Sequence, residues 1–186
     1  MKPVVTVRMN DTGQKNLAKS LSALTKKQVL VGIPEANALA RHADLLKLLS
    51  TARGKKKQAR LQVAAKQMIN NAQLLYIHTE GSPLKHIPAR PVLQPAIEDP
   101  QNSALICEQL EKAADAALAG KSEQVERYLK LAGQVAENLC RAWFTNPRNG
   151  WAPNAPSTIR RKGSSKPLID TGELRKSITS QVVEAE

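Results

Sequence analysis

Aromatic side chains are scarce in this sequence of 186 residues, of which they make up only 3%. Apolar residues still account for 41% of the chain, which is typical of a folded protein and excludes a disordered one. The core must therefore be built mainly from Leu, Val, Ile and Ala, and the abundance of Ala favours helices. This length suits one ordinary domain with a hydrophobic core, so we expect a single domain over residues 1–186.

Cysteine is also scarce, with only Cys107 and Cys140, which both lie inside helical patterns. Neither belongs to a Cys-x-x-Cys pair, so two buried thiols are expected rather than a disulfide. No apolar run at the N-terminus is long enough for a signal peptide, and no stretch approaches the length of a transmembrane helix. We therefore expect a soluble protein without membrane contact, made and kept in a reducing cytoplasm.

Sequence motifs for catalysis and for metal binding are missing as well. The histidines His42, His78 and His86 do not have the spacing of a helical metal site. The sequence also lacks a nucleophile elbow, a Walker loop and a dinucleotide-binding fingerprint. His78 and Glu80 could in principle act as acid and base, but a polar helix terminus explains both residues. We therefore expect a protein that is not an enzyme and has no cofactor.

Acidic residues are rare in the first half of the chain. Residues 1–90 hold 16 Lys and Arg against 4 Asp and Glu, whereas residues 91–186 hold 12 of each. The densest basic stretch is an insertion at about residues 50–62, with five cations and no carboxylate in residues 53–60. Its cations are candidates for contact with a DNA channel or an acidic partner, and a solvated basic surface is the alternative. These residues are Arg53, Lys55, Lys56, Lys57 and Arg60.

The spacing of apolar residues predicts the secondary structure. Alternation with a period of two predicts strands near residues 3–9, 28–33 and 178–184. Helical spacing predicts helices over 103–118 and 123–144, which Gly120 separates. The fold class is therefore predicted as α+β, with a small, mainly antiparallel sheet, packed helices and long interaction loops. In the second helix the stripe runs in steps of four and three, at Val125, Leu129, Ala132, Ala136, Leu139 and Trp143.

Two segments are predicted to be extended loops, at about residues 81–95 and 146–167. Three prolines in residues 87–95 exclude a helix there, although one can restart at Pro95. A short helical turn is expected within residues 157–161, and Asp170 is predicted to cap a short helix. On the first long helix, Leu105, Leu110, Ala113 and Ala117 are predicted to form the buried side.

Six short segments occur in a fixed order along the chain: Val31–Pro34, Tyr76–Gly81, Ile87–Leu93, Trp151–Asn154, Ser157–Lys162 and Pro167–Ile178. Together they resemble the virion-morphogenesis, neck and tail-completion proteins of Mu-like and related tailed bacteriophages. The Pro167–Ile178 segment is the most specific of the six. The resemblance covers most of the chain between residues 29 and 183.

The resemblance implies a non-catalytic structural virion protein that forms a ring in the phage neck, at the head–tail connection or at the completed tail. The partners would be further copies of the chain, with a hexamer favoured, and adjacent neck, connector or tail proteins. Genomic DNA would pass through the channel without specific recognition. Such a protein is located in the virion and is assembled in the cytoplasm of the host bacterium.

A ring subunit needs loops that dock on its neighbours. The proline-rich segment loses little entropy when it becomes ordered, and the second loop is long for a compact domain. Simple surface coil is the alternative for both. A non-specific DNA-binding protein that uses the basic N-terminal half is the alternative function. The candidate subunit interface is Ile87, Pro88, Arg90, Pro91, Trp151, Arg160 and Arg161.

Overall fold

The computed structural model describes residues 11–38, 47, 51, 54, 55, 59 and 69–185. Its strands β1 and β2 pair antiparallel in a two-stranded sheet, so the predicted α+β class is confirmed. The strand expected near residues 3–9 lies outside the described residues. The elements, in chain order, are α1 (Asp11–Thr25), β1 (Lys27–Gly32), α2 (Glu35–Ala38), α3 (Asn71–Glu80), α4 (Leu93–Glu98), α5 (Pro100–Leu118), α6 (Ser122–Trp143), α7 (Pro156–Lys162), α8 (Glu173–Ser177) and β2 (Thr179–Glu184).

Helix α6 is amphipathic, as its sequence predicts. Five of the six residues in the predicted stripe are buried, and Leu139 is half-buried. Cys140 adds a further fully buried side chain to the same face. The long regular repeat of apolar residues therefore located this helix and its buried face to within one residue at each end.

The turn between α5 and α6 is closed at Gly120, where the sequence predicts the helix to stop. Gly120 has a φ of 71°, a left-handed conformation that glycine adopts without a steric penalty. The amide of Gly120 donates to the carbonyl of Ala117 at 3.0 Å, and the amide of Lys121 donates to that of Ala116 at 2.9 Å. This pair of bonds satisfies the last carbonyl groups of α5 and ends the helix.

The chain forms two compact units, each assembled from several stretches. The first unit comprises residues 1–30, 103–135 and 180–186, of which residues 11–30, 103–135 and 180–185 are described. Its core packs the buried alanines of α5 against Val125 and Leu129 of α6. The single-domain organisation expected from the sequence stays a prediction.

The second unit comprises residues 31–102 and 136–179. Its core is larger, because it draws on α3, α4, the end of α6 and the residues around α8. Its two buried aromatic side chains, Trp143 and Phe144, are consecutive in the sequence at the end of α6. The buried members are Leu75, Val92, Ala96, Cys140, Trp143, Phe144, Leu174 and Ile178.

The predicted buried side of α5 is partly wrong. Ala113 and Ala117 are fully buried, but Leu105 and Leu110 are 49% and 38% exposed. The helix is packed through its alanines, whose small side chains allow the neighbouring helix to approach closely. Cys107 is exposed as well, which corrects the prediction of two buried thiols, whereas Cys140 is buried and both cysteines are free.

The predicted loops contain more helix than expected. The sequence predicts that a helix can restart at Pro95, whereas α4 begins two residues earlier, at Leu93. Pro95 lies in its first turn, where a missing amide hydrogen removes no intrahelical bond. Helix α7 occupies 156–162, around the predicted helical turn. The residue that precedes α8 is Gly172, with a φ of 82°, so the predicted capping role of Asp170 is wrong.

Candidate functional site: a basic cleft in the second unit

A cleft of about 1070 Å³ lies in the second unit. One wall is formed by α3 and the turn that follows it, and the other by α7 and the residues that lead into α8. Helix α8 also packs against α3, which fixes the distance between the two walls at this end. The apolar part of the lining is provided by Leu74, Ile87, Leu168 and Leu174, with prolines beside them.

Basic side chains dominate the polar part of this lining. Four Lys and Arg side chains line the cleft, namely Lys85, Arg90, Arg161 and Lys162. His78 and His86 line it too, whereas Asp170 is the one carboxylate among the described lining residues. The cleft therefore combines an apolar lining with a strongly positive charge, which suits a ligand that carries carboxylates or phosphates.

The turn after α3 is held in a fixed shape by backbone bonds. Ser82 and Ile87 exchange two hydrogen bonds, with N–O distances of 2.8 and 2.9 Å. A single 3-10 turn spans the residues between them, and His86 closes it in a left-handed conformation with a φ of 51°. Lys85 and His86 are thus presented at the cleft from a backbone that is already ordered.

Arg90 connects the two walls of the cleft. Its side chain is 6% exposed, and Nη2 donates to the carbonyl oxygens of Ala152 at 2.8 Å and Pro153 at 3.1 Å. Nε donates to Ala152 at 3.2 Å, and the backbone amide donates to the carbonyl of His78 at 2.6 Å. Burial lowers the pKa of this guanidinium from its ordinary value. Arginine remains protonated in proteins, so Arg90 contributes a fixed positive charge.

Helix α7 is held at the cleft by two further side chains. The buried amide of Asn154 donates to the carbonyls of Ser165 and Lys166, each at 3.2 Å, and so closes the loop around α7. Lys162 Nζ donates to the same Lys166 carbonyl at 3.1 Å. Burial lowers the pKa of Lys162, nearby Asp170 raises it, and the positive charges of Arg90 and Arg161 lower it. The direction of the net shift is downward, as expected where several cations share one cleft.

The residues predicted as a subunit interface have two different locations. Ile87, Pro88, Arg90 and Arg161 line the cleft, whereas Arg160 is exposed outside its lining. Trp151 Nε1 donates to the carbonyl of Pro91 at 3.1 Å. The ring of Trp151 also meets that of Phe144 edge to face, with centroids 5.9 Å apart. The assignment of the seven candidate residues to a subunit interface stays a prediction.

The basic insertion is mostly outside the described residues. This applies to Arg53, Lys56, Lys57 and Arg60, whereas Lys55 is described and is exposed. Their predicted contact with DNA or an acidic partner stays a prediction.

Sequence reasoning did not select Lys85, His86 or Asp170 as site residues, whereas Lys162 belongs with Arg160 and Arg161 to a second, smaller basic cluster. Lys85 and His86 form a basic pair directly before the Ile87–Leu93 segment, and this pair was the available signal in the sequence. Lys162 immediately follows the candidate Arg161, and Asp170 had been assigned to helix capping. Only the fold brings Lys85, His86, Lys162 and Asp170 to one cleft.

Among the side chains that the structure describes, no group of three His, Cys, Asp or Glu residues is arranged to hold a metal ion. Within the same part of the chain, no helix is both long and apolar enough to cross a membrane. No protein-family model, curated protein or solved structure matches the chain significantly.

Proposed function

We propose that this chain is a non-catalytic structural subunit of a tailed-phage virion, which forms a ring in the neck or at the completed end of the tail. The proposal rests on the ordered segments that resemble neck and tail-completion proteins. Its location would then be the virion, and its partners would be further copies and the adjacent neck, connector or tail proteins. A hexamer is the favoured ring size, because the tails of such phages have six-fold symmetry.

The observation that carries the proposal is the location of those six segments. All of them lie in the second unit, although they are spread from residue 31 to residue 178 of the sequence. Two of them are joined directly, since Arg90 binds the carbonyls of Ala152 and Pro153 and Trp151 binds that of Pro91. A set of segments that share one compact unit and stabilise each other is what a family-specific structural module would have.

The contacts within these segments favour docking over catalysis. Arg90, Trp151 and Asn154 all donate to backbone carbonyls, and each bond fixes the shape of a loop. Loops that are ordered before they meet a partner lose less entropy on association, so such loops suit subunit contacts. This reasoning supports a structural protein whose surface is shaped in advance.

The test is the state of the purified full chain. Electron microscopy with a mass measurement in solution should find closed rings, with six copies as the favoured number. Labelled chain should also be incorporated at the neck or tail end of particles during assembly. A chain that stays monomeric at all concentrations, and is absent from particles, would contradict the proposal.

A non-specific DNA-binding protein is the second candidate, and the basic lining of the cleft is the observation that favours it. Binding through phosphates alone falls steeply as salt is raised and shows little preference for sequence. A monomer that binds unrelated duplexes equally, and does so in a salt-sensitive way, would favour this alternative over the ring.

A further inference from the structure

The cleft has the chemistry of a docking surface for an acidic segment. Its apolar lining, which includes Leu74, Ile87 and Leu168, would bury apolar side chains of a partner. Exposed Lys85 and Arg161 beside this lining would meet carboxylates. An occupant that carries carboxylates next to apolar groups would therefore satisfy both parts of the surface.

Helix α5 of the same chain has an outward face of this kind. Glu108, Glu111 and Asp115 are exposed and are spaced three and four residues apart, which places them on one side of the helix. Leu118 follows on the same side and is 68% exposed, and exposed Cys107 precedes Glu108 at the other end of this side. We name these five residues the acidic face. The buried alanines of α5 lie on the opposite side of the helix, so the acidic face is available to a partner.

We infer that the cleft of one copy binds the acidic face of α5 in the next copy, an inference that rests on the proposed ring. Two different and complementary surfaces on one chain are what a heterologous contact requires, and such contacts form a ring when the rotation between neighbouring copies closes. Glu108 already forms a salt bridge with Lys112, so Glu111 and Asp115 would meet Lys85 and Arg161. Leu118 would reach the apolar lining.

A protein partner fits this cleft better than DNA does. The sugar–phosphate backbone has little to place against the apolar lining formed by Leu74, Leu168 and Leu174. Asp170 would repel phosphates, whereas in a protein contact it can join Lys112, which already forms a salt bridge with Glu108 on α5. DNA binding at the cleft is therefore the competing outcome of the test.

Two charge-reversal variants separate the two surfaces. The cleft variant is Lys85→Glu with Arg161→Glu, and the helix variant is Glu111→Lys with Asp115→Lys. All four side chains are exposed, so the fold should tolerate each change. Each variant alone should be monomeric in sedimentation, with the dissociation constant between subunits raised at least about a hundredfold, because like charges would face each other.

Mixing the two variants gives the sharper readout. The cleft variant retains an intact acidic face, and the helix variant retains an intact cleft, so one native contact can form between them. The reversed cleft and the reversed helix face are also opposite in charge, so a second contact can form between the two variants. The expected product is an alternating assembly of both variants in which ring formation is restored. Milder variants, Lys85→Gln with Arg161→Gln and Glu111→Gln with Asp115→Gln, should weaken the ring without abolishing it, and circular dichroism should find all of them folded.

Matched controls change the same charge elsewhere. Lys166→Glu reverses the charge of an exposed residue that follows α7 but lies outside the cleft lining, and Glu98→Lys does so on an exposed residue of α4. Both should form rings like the unchanged chain. If these controls disrupted the ring as strongly as the paired variants, the contact would depend on net charge and the inference would be wrong.

The possible outcomes distinguish the inference from the function on which it rests. Rings that form normally in both paired variants would overturn the inference and leave the ring proposal standing. An unchanged chain that never forms rings would overturn both. A cleft variant that assembles normally but loses affinity for a labelled DNA duplex would assign the cleft to DNA and also overturn the inference.

Discussion

The guanidinium of Arg90 donates to the carbonyl oxygen of Ala152 through two nitrogens, Nη2 at 2.8 Å and Nε at 3.2 Å. Nη2 also donates to the carbonyl of Pro153. These residues are separated by about 60 positions in the sequence, so the contact closes a long-range connection. The planar fork of arginine holds two consecutive carbonyls of a loop, a geometry that a lysine ammonium does not reproduce.

The first prediction follows from this geometry. Arg90→Lys should lower the free energy of unfolding by about 1–3 kcal/mol, because buried carbonyl groups would lose their donors. Urea unfolding followed by circular dichroism measures the change. Arg160→Lys is the control on an exposed arginine, and should alter stability by less than about 0.5 kcal/mol. Equal stability of Arg90→Lys and the unchanged chain would mean that these bonds add nothing to the fold.

The second prediction compares two glycines that both have positive φ. A Cβ at Gly81 (φ 73°) would lie 2.8 Å from the backbone nitrogen of Ala89 and from the carbonyl oxygen of Ile87. At Gly150 (φ 62°) a Cβ would meet open space. Gly81→Ala should therefore cost at least about 3 kcal/mol, from strain together with the backbone clash, whereas Gly150→Ala should cost about 1 kcal/mol.

Thermal unfolding of the two glycine variants provides the comparison. Gly150→Ala controls for the positive φ alone, so the difference between the variants reports the close approach of the backbone at Gly81. Similar melting temperatures for the two would contradict the packing around the turn that presents Lys85 and His86 to the cleft.

The long elements were predictable from sequence because their apolar spacing is regular. The stripe of α6 left one register for the helix, and the alternation in residues 179–184 located β2. The buried face of α5 was not predictable in this way. Ala113 and Ala117 share that helix with Leu105 and Leu110, and apolar spacing alone favours burial of the larger leucines. Hydropathy does not show that α5 is buried through its small alanines, which pack closely against the neighbouring helix, rather than through its leucines.

The cleft could be predicted only in part. Its lining extends from Leu74 to Leu174 along the sequence, so its assembly depends on tertiary contacts. The resemblance selected Arg90 and Arg161, because they belong to recognisable segments. Asp170 was assigned to capping on local spacing, whereas Gly172 takes the position before α8 with a left-handed backbone. Short sequence patterns identified some of the lining residues, but they did not predict which residues lie next to each other in the folded chain.

The third prediction concerns the contact of α6 with the strands. A Cβ on Gly133 would lie 3.0 Å from Val29 Cγ1 and 3.1 Å from Ser180 Cβ. Gly133→Ala gains about 1 kcal/mol of helix propensity but overpacks this contact at a cost of about 1–3 kcal/mol. We expect a net loss of stability in urea unfolding. Val29→Ala should cost less in the Gly133→Ala background than alone, and strict additivity would contradict the contact.

The fourth prediction tests the basic insertion. Replacing Lys55, Lys56 and Lys57 with Gln removes three positive charges. If the insertion contacts DNA or an acidic ring, particle assembly or DNA retention should fall while the isolated chain keeps its melting temperature. Lys121→Gln, at an exposed site in the turn between α5 and α6, is the control. Normal yields of infectious particles from the triple variant would leave the insertion as a solvated surface.

The fifth prediction concerns the two free cysteines. Cys107 is exposed and Cys140 is buried, and burial raises the pKa of the Cys140 thiol to about 11. Since the thiolate is the reactive form, a thiol reagent at about pH 8 should modify Cys107 alone in the native chain and both residues in denaturant. Cys107→Ser should leave no rapidly reacting thiol, and fast modification of native Cys140 would contradict its burial.

The same shift makes the contribution of Cys140 to stability depend on pH. Between the ordinary pKa of 9.0 and the raised value of about 11, the folded state keeps the thiol proton that the unfolded state releases. Unfolding then releases a proton, so rising pH favours the unfolded state. The stability advantage of the unchanged chain over Cys140→Ala should therefore be complete below pH 9 and shrink as pH approaches 11. Urea midpoints for the pair, measured across this range, provide the test, and a constant difference would show that Cys140 ionises equally readily in both states.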